Sequence, residues 1–268
     1  MIDSLSFYLT PYKSRPRHED YRILRPAGDI GHGLGVIGSS MMLFMLLYSF
    51  RKRTRLFKKW GHLSHWLDIH IYFGIIGPLL VILHTSFKVQ GLVAVSFWSM
   101  ITVALSGVLG RYLYLQIPRN IEGEELSEKE FKEIYNRLAD DVTREAKVDD
   151  KIINSIEADI MPTPQETIGL LRAVFFILID DLTRRFRVGR IYKKYSAQMS
   201  MPAFKVRHLV TMIKKRALLK RKIVLLNQIQ QLFHYWHVFH KPFAIIMYIV
   251  MLVHIVIAFW LGYAWIFG

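Results

Sequence analysis

Four stretches of this chain are long and apolar enough to cross a lipid bilayer. They run from about residue 33 to 50, 66 to 87, 92 to 116 and 242 to 267. Each is close to the roughly 20 residues that the hydrocarbon core of a membrane requires. Lipid offers no hydrogen-bond partner to backbone N–H and C=O groups, so a spanning stretch must be helical. The sequence therefore predicts an all-α integral membrane protein with a four-helix transmembrane bundle.

The rest of the chain is organised around these stretches. Residues 1–28 are predicted to form a polar N-terminal tail, and residues 29–117 hold the first three transmembrane helices. Residues 118–235 form a long insert before the fourth transmembrane helix, which lies within 236–268. The insert is mostly polar and has a helical pattern, so we expect a helical domain outside the membrane.

Lysine and arginine are distributed very unevenly, and this predicts the orientation of the chain. Six lie in the short link after the first helix and 24 lie between Arg111 and Lys241, so 30 of the 36 basic residues fall on one side of the membrane. Loops rich in these residues remain in the cytoplasm. We therefore expect a protein of the inner (cytoplasmic) membrane with the insert in the cytoplasm and both termini outside. The second and fourth helices then run in the same direction.

Several local patterns are visible in the insert. Capping-box patterns at 127–130 and 163–166 mark two expected helix starts. The stretch 168–182 is apolar but short, and it predicts an amphipathic helix that lies on the membrane surface, against a partner, or on the insert itself. The run 205–222 is strongly basic, and beside a membrane span such a run favours anionic lipid over nucleic acid.

Two of the four transmembrane stretches carry histidine at the same spacing. The second contains His70 and His84, the fourth contains His240 and His254, and each pair is 14 residues apart. Such a separation corresponds to a rise of about 21 Å and almost four helical turns, which puts both members on nearly one face. Because the two helices are predicted to be parallel, His70 falls level with His240 and His84 falls level with His254. Histidine within a membrane span is energetically costly and is usually functional.

These four histidines predict two bis-imidazole haem sites, one above the other across the membrane. Imidazole is a good ligand for haem iron, and a porphyrin fills apolar space between helices. The chain has no cysteine, which excludes iron–sulfur clusters and covalently attached haem in this chain. Zinc is disfavoured because it takes three or four protein ligands around one point. The alternative is that the histidines are only hydrogen-bonded inside the bundle.

The two histidine-bearing helices resemble those of the bis-histidine di-haem membrane cytochrome b superfamily. The matching segments are HIYFGIIGPLLVILH, from His70 to His84, and HKPFAIIMYIVMLVH, from His240 to His254. The superfamily includes ferric reductases and the b-type membrane subunits of dehydrogenases and hydrogenases. The resemblance implies two b-type haems, electron transfer across the membrane, and partner subunits of the iron–sulfur, flavin or multihaem cytochrome type. The chain departs from the pattern in its four spans and its long insert, and it has no fused flavin domain.

Two further residues are candidates for contact with a haem. Gly77 lies midway between two of the histidines, where a small residue would admit a porphyrin edge or another helix. Arg111 ends the third span and could pair with the propionates of the inner haem or with lipid phosphate. The glycines at 33, 35 and 38 match a dinucleotide-binding pattern, but no strand precedes them, so close helix packing is the better interpretation.

Two other functions are consistent with the sequence. A group of histidines near the cytoplasmic boundary would line a quinone site with Asp68, or would lie at the interface without chemistry: His62, His65, His234 and His237. In the first alternative the chain is the quinone-reactive subunit of a respiratory oxidoreductase. Independently of the role of these histidines, the other alternative function is a non-redox membrane anchor or a proton-conducting transporter. His32 is a further candidate, at the outer side.

Overall fold

The computed structural model describes residues 4–54, 59–118, 126–146, 149–161, 168–199 and 201–262. Every regular element within these ranges is helical, including a 3-10 turn at Arg15–Arg17. The α-helices, in chain order, are α1 Ser4–Leu9, α2 Tyr21–Leu24, α3 Asp29–Arg53, α4 Leu63–His84, α5 Leu92–Gln116, α6 Glu128–Ala146, α7 Asp150–Ile160, α8 Leu170–Gln198, α9 Ala203–Val224 and α10 Leu226–Trp260.

Four of these helices, α3, α4, α5 and α10, are long and apolar enough to cross a membrane. At most 22% of the residues in the apolar window of any one of them are buried inside the protein. Apolar surface of this extent marks contact with lipid or with a partner. The prediction of an all-helical chain with four candidate membrane spans is therefore confirmed.

Two of the spans differ in extent from the prediction. α4 ends at His84, before Phe87, because Ser86 and Phe87 adopt left-handed backbone conformations with φ of 46° and 60° that a helix cannot continue. α10 begins at Leu226 rather than at Pro242, and it passes through Pro242 without ending. The residues before Pro242 include many polar side chains, so an apolar pattern could not include them.

The chain forms two compact units. The first holds residues 1–111 and 236–268, and the second holds residues 112–235. Both α5 and α10 continue from one unit into the other. The centre of the first unit is a cluster of buried methionines from α3, α5 and α10, namely Met42, Met100, Met247 and Met251.

α3 and α4 approach each other closely where two glycines meet. A methyl group at Gly38 would lie 2.9 Å from the carbonyl oxygen of Gly77, and one at Gly77 would lie 3.0 Å from Cγ of Met42. Small residues at a crossing allow the two backbones to approach. Helix packing is therefore confirmed for Gly38. Gly77 was expected to admit either a porphyrin edge or a helix, and the neighbour that the structure places against it is α3.

Residues 4–24 fold against the end of α4, which their polar composition did not predict. Phe7 is fully buried, and Leu24 is 2% exposed. The buried guanidinium of Arg15 donates hydrogen bonds to three backbone carbonyl groups, one of them that of Ser86. The Ser86 hydroxyl donates to the carbonyl oxygen of Leu24 at 3.1 Å. These contacts fix the left-handed turn that follows His84.

The second unit is built around two apolar clusters. The larger cluster joins the four helices α6, α7, α8 and α9. It includes Val142, Ile153, Ile156, Ile160, Ile191, Val206, Leu209, Val210 and Ile213. The smaller joins α8 to the ends of α5 and α10 through Ile117, Ala173, Ile177, Leu225 and Ile229. The capping box at 127–130 is confirmed: the backbone N–H of Ser127 donates to Glu130 Oε2 at 2.7 Å. The second predicted box, at 163–166, lies outside the described residues.

A buried group of charged side chains also holds the second unit together. Arg221 is 2% exposed, and its Nη1 donates to Asp180 Oδ2 and to Asp181 Oδ1, each at 2.7 Å. Its Nη2 donates to Gln116 Oε1 at 3.0 Å. Burial alone would raise the pKa of Asp181, but hydrogen bonds from Tyr112 and Arg221 hold that pKa below its ordinary value. This charged group ties α8 and α9 to the end of α5.

Candidate functional site

The four histidines of the repeated spacing lie at two levels of the first unit. His70 of α4 and His240 of α10 are close enough for their charges to interact. The charges of His84 of α4 and His254 of α10 are also close enough to interact. Each level therefore receives one imidazole from α4 and one from α10. The order of the two levels is the same along both helices, so α4 and α10 run in the same direction.

The ring of His84 lies against α3. Its Nδ1–H donates to the carbonyl oxygen of Gly31 at 2.8 Å. A methyl group at Gly35 would lie only 2.6 Å from the same Nδ1 atom. Gly35 therefore leaves the space that the imidazole occupies, and the Gly31 carbonyl group determines which way the ring is turned.

His240 is oriented by α5. The Ser106 hydroxyl donates to the carbonyl oxygen of Val103 at 2.9 Å, so its oxygen is free to accept the Nδ1–H of His240 at 2.8 Å. The ring of Trp236 lies 4.7 Å from that of His240, between centroids. Its Nε1–H donates to the Ser106 carbonyl oxygen at 2.7 Å. Gly110 makes room for this indole, because a methyl group there would lie 2.2 Å from it.

His70 has a similar but longer contact with α3. Its Nδ1–H donates to the carbonyl oxygen of Met45 at 3.3 Å. The ring of Tyr48 lies 5.0 Å from the His70 ring, between centroids, at a tilted angle. α3 thus supplies the acceptors for both histidines of α4, and α5 supplies the acceptor for His240.

Hydrogen bonds favour the Nδ1-protonated tautomer in three of the four imidazoles, and this tautomer leaves Nε2 available to a metal. The Nδ1 atoms of His70, His84 and His240 all donate hydrogen bonds inside the bundle. In a neutral imidazole with its proton on Nδ1, the lone pair lies on Nε2, where it can bind iron. Hydrogen bonds of this kind orient the ring of metal-binding histidines and increase its basicity. The donor set therefore fits a haem with two axial imidazoles at each level.

His32 of α3 is a third histidine beside His84 and His254. Its ring centroid lies 6.5 Å from that of His84, and its charge interacts with that of His254. Among the described residues, no group of three or more histidine, aspartate or glutamate side chains is arranged to hold a metal ion. The level of His84 and His254 therefore holds a third imidazole, that of His32.

Arg111 has a protein partner that the sequence did not predict. Its Nη2 lies 3.3 Å from Oδ1 of Asp68, in a partly exposed ion pair between α5 and α4. Asp68 precedes His70 by two residues, so the ion pair lies at the His70 end of α4. The expected partners of Arg111, a haem propionate or a lipid phosphate, stay predictions.

The predicted quinone-site histidines are only partly brought together. The ring centroids of His62 and His65 lie 6.2 Å apart. His237 is close enough to His240 for their charges to interact. His234 is exposed and belongs to the second unit. The four therefore do not form one group within a single unit.

The sequence did not reveal that Gly31, Gly35 and Ser106 orient the histidines. Gly31, Gly35 and Gly38 recur at the spacing of one helix face, which is a detectable sign of the surface that α3 presents to α4. No comparable sign identifies Ser106, because its partner His240 is 134 residues away in the chain.

Similarity to known proteins adds nothing to this geometry. No protein-family model matches the chain, and neither a curated protein nor a solved structure matches it. The function of the site therefore has to be inferred from its own side chains.

Proposed function

We propose that this protein is a di-haem cytochrome b subunit that carries electrons across the membrane. The observation that supports the proposal is the matched arrangement of imidazoles: His70 with His240, and His84 with His254. Three of these four rings are oriented through Nδ1, which leaves Nε2 for iron. Four histidines that were only hydrogen-bonded inside a bundle would have no reason to lie in two pairs at matched levels.

The chain contributes position and surroundings to this chemistry. Bound haem iron supplies a one-electron couple that cycles between the ferrous and ferric states. The two histidines of each helix set the levels about 21 Å apart along the helix axis. The methionine cluster fills the space between the levels with apolar, polarisable side chains that exclude water. Electrons would thus cross the bundle through an apolar interior.

The proposed orientation follows from the basic residues. Their excess around the end of α3 and in the insert supports a cytoplasmic position for these segments, with both termini outside. His70 and His240 would then form the inner site of a protein in the cytoplasmic membrane. Its redox partner in this proposal is an iron–sulfur, flavin or multihaem cytochrome subunit.

The visible spectrum of the purified protein tests the proposal directly. We expect a Soret band, reducible α and β bands of low-spin b-type haem, and two haems per chain in a pyridine extract. A colourless protein from haem-replete cells would contradict the proposal. That result would instead favour the non-redox alternative, a membrane anchor or a proton-conducting transporter.

A quinone-reactive subunit is the second candidate, and the Arg111–Asp68 ion pair favours it. Quinone chemistry needs proton donors and acceptors beside a haem, and this ion pair lies at the end of α4 that carries His70. The same spectra distinguish the two functions. A quinone analogue that shifts the bands of one haem in wild type, but not in Asp68→Asn, would favour the quinone site.

Replacing Gly35 by alanine should remove the haem bound by His84 and His254. The new methyl group would lie 2.6 Å from His84 Nδ1, so the ring would have to leave the Gly31 carbonyl group. We expect about one haem per chain in a pyridine extract, since the other level is untouched. Gly107→Ala is the matched control, because no described atom lies within 4 Å of its new methyl group. Two full haems in Gly35→Ala would argue against the pairing of His84 with a haem.

A further inference from the structure

Helix α8 has two opposite faces, and only one of them is used inside the protein. The buried face carries Ala173, Ile177, Asp180, Ile191 and Tyr195. The opposite face carries six large apolar side chains that are between 46% and 76% exposed, here called the α8 stripe: Leu171, Phe175, Leu178, Ile179, Leu182 and Phe186. Exposed apolar surface of this kind marks an interaction site.

The α8 stripe has the shape of a surface that lies on a membrane. With 3.6 residues per turn, its six side chains fall within a sector of about 100° and extend over about 22 Å of helix. The exposed residues Arg172 and Arg190 border this sector on one side, and Arg185 borders it on the other. The acidic Asp180 and Asp181 of the same helix point elsewhere, into the buried charged group around Arg221.

The first part of α8 packs against the ends of two membrane spans. Ala173 and Ile177 contact Ile117, which follows α5, and Leu225 and Ile229, at the start of α10. The stripe therefore begins beside segments of α5 and α10 that lie beyond the apolar stretches of these two helices. In the proposed orientation, the nearest surface is the cytoplasmic leaflet, which is rich in anionic lipid.

We propose that the α8 stripe lies in the interface of the cytoplasmic leaflet and binds anionic lipid. The apolar side chains enter the boundary between headgroups and acyl chains, as they do in amphipathic helices that lie in the membrane plane. The arginines at both edges extend their guanidinium groups to lipid phosphate while their alkyl stems cover apolar surface. A protein partner would need a surface shaped to fit an apolar sector with arginine on both sides. An anionic bilayer offers both an apolar interior and phosphate groups without needing a complementary shape.

The absence of cysteine from the chain allows a direct test in the full-length protein. Leu182→Cys places a spin label at the centre of the stripe. Thr211→Cys, at an exposed site of α9, is the matched control. The readout is the ratio of each label's collisions with oxygen to its collisions with a water-soluble nickel complex. In nanodiscs that contain phosphatidylglycerol, we expect this ratio to be several-fold higher at 182 than at 211.

The arginines are tested in the same system. Arg172→Gln, Arg185→Gln and Arg190→Gln together should lower the oxygen-to-nickel ratio at 182 in discs with phosphatidylglycerol, and should have little effect in phosphatidylcholine alone. A label at 182 as accessible to nickel as the label at 211 in both kinds of disc would overturn the proposal. So would shielding found only in native membranes and lost in the discs, since it would identify a protein partner. No haem is needed for this readout, so the result is independent of the proposed electron transfer.

Discussion

A protein that lacks both His84 and His254 should keep one haem, whereas a protein that lacks both His70 and His254 should keep none. Each double alanine variant removes the same number of imidazoles and one from each helix. In the first, both losses fall on one level, and the level of His70 and His240 stays intact. In the second, each level loses one member of its pair, so neither level keeps both axial imidazoles of the proposed site, and only His32 remains near His84. The measurement is haem per chain by pyridine extraction, with low-spin haem followed by electron paramagnetic resonance.

The remaining pairs provide the controls for this experiment. His70→Ala with His240→Ala should again leave one haem, and its reduction potential should differ from that of the haem left in the first variant. His62→Ala with His65→Ala removes two histidines outside the paired levels and should leave both haems. Equal haem loss in the His84/His254 variant and in the His70/His254 variant would show that the levels are not built as proposed.

Replacing Arg221 by glutamine should strongly destabilise the second unit. The substitution leaves Asp180 and Asp181 without a buried cationic partner between α8 and α9, and it removes the hydrogen bond to Gln116. Removal of one partner from a fully buried ion pair costs about 3–5 kcal/mol. Arg184 and Arg187 of α8 still pair with the two carboxylates in this variant, so we expect a loss at the lower end of that range. Pulse proteolysis of the detergent-solubilised protein across a urea series measures this loss as an earlier midpoint for cleavage within the insert. Arg207→Gln, at an exposed position of the same helix, should leave the midpoint nearly unchanged.

The same charged group makes the second unit sensitive to acid. Since hydrogen bonds from Tyr112 and Arg221 hold the pKa of Asp181 below its ordinary value, its carboxylate stabilises the folded state. That contribution is complete above the ordinary carboxyl pKa of about 4 and is lost as the pH falls through the lower pKa of the folded state. In Asp181→Asn, the part of the acid sensitivity that comes from this carboxyl should disappear. An unchanged pH profile in that variant would assign the acid sensitivity to other groups.

The transmembrane helices and the histidine spacing could be predicted because both depend on local pattern. An apolar stretch of sufficient length has few alternatives to a membrane helix. The equal spacing of His70 to His84 and of His240 to His254 determines which residues share a face, whatever surrounds them. Sequence alone therefore identified the four candidate ligands.

The surroundings of those ligands could not be predicted, because they depend on contacts between distant segments. Arg15 is a surface residue by composition, yet it is buried because it satisfies the carbonyl group of Ser86 in the turn after His84. α10 extends back to Leu226 through a polar segment that packs on the insert. The contact of Gly77 with α3 likewise depends on how two distant segments pack.

The packing in the middle of the bundle depends on keeping its buried methionines unoxidised. Thioether sulfur is readily converted to the sulfoxide, which changes a flexible apolar side chain into a polar one. Met42 and Met247 are 3% exposed, so a sulfoxide at either position would have little access to water and would weaken the packing of α3 against α10. The thioether sulfur that lets these residues fill an irregular space is thus also the atom whose oxidation would separate the helices.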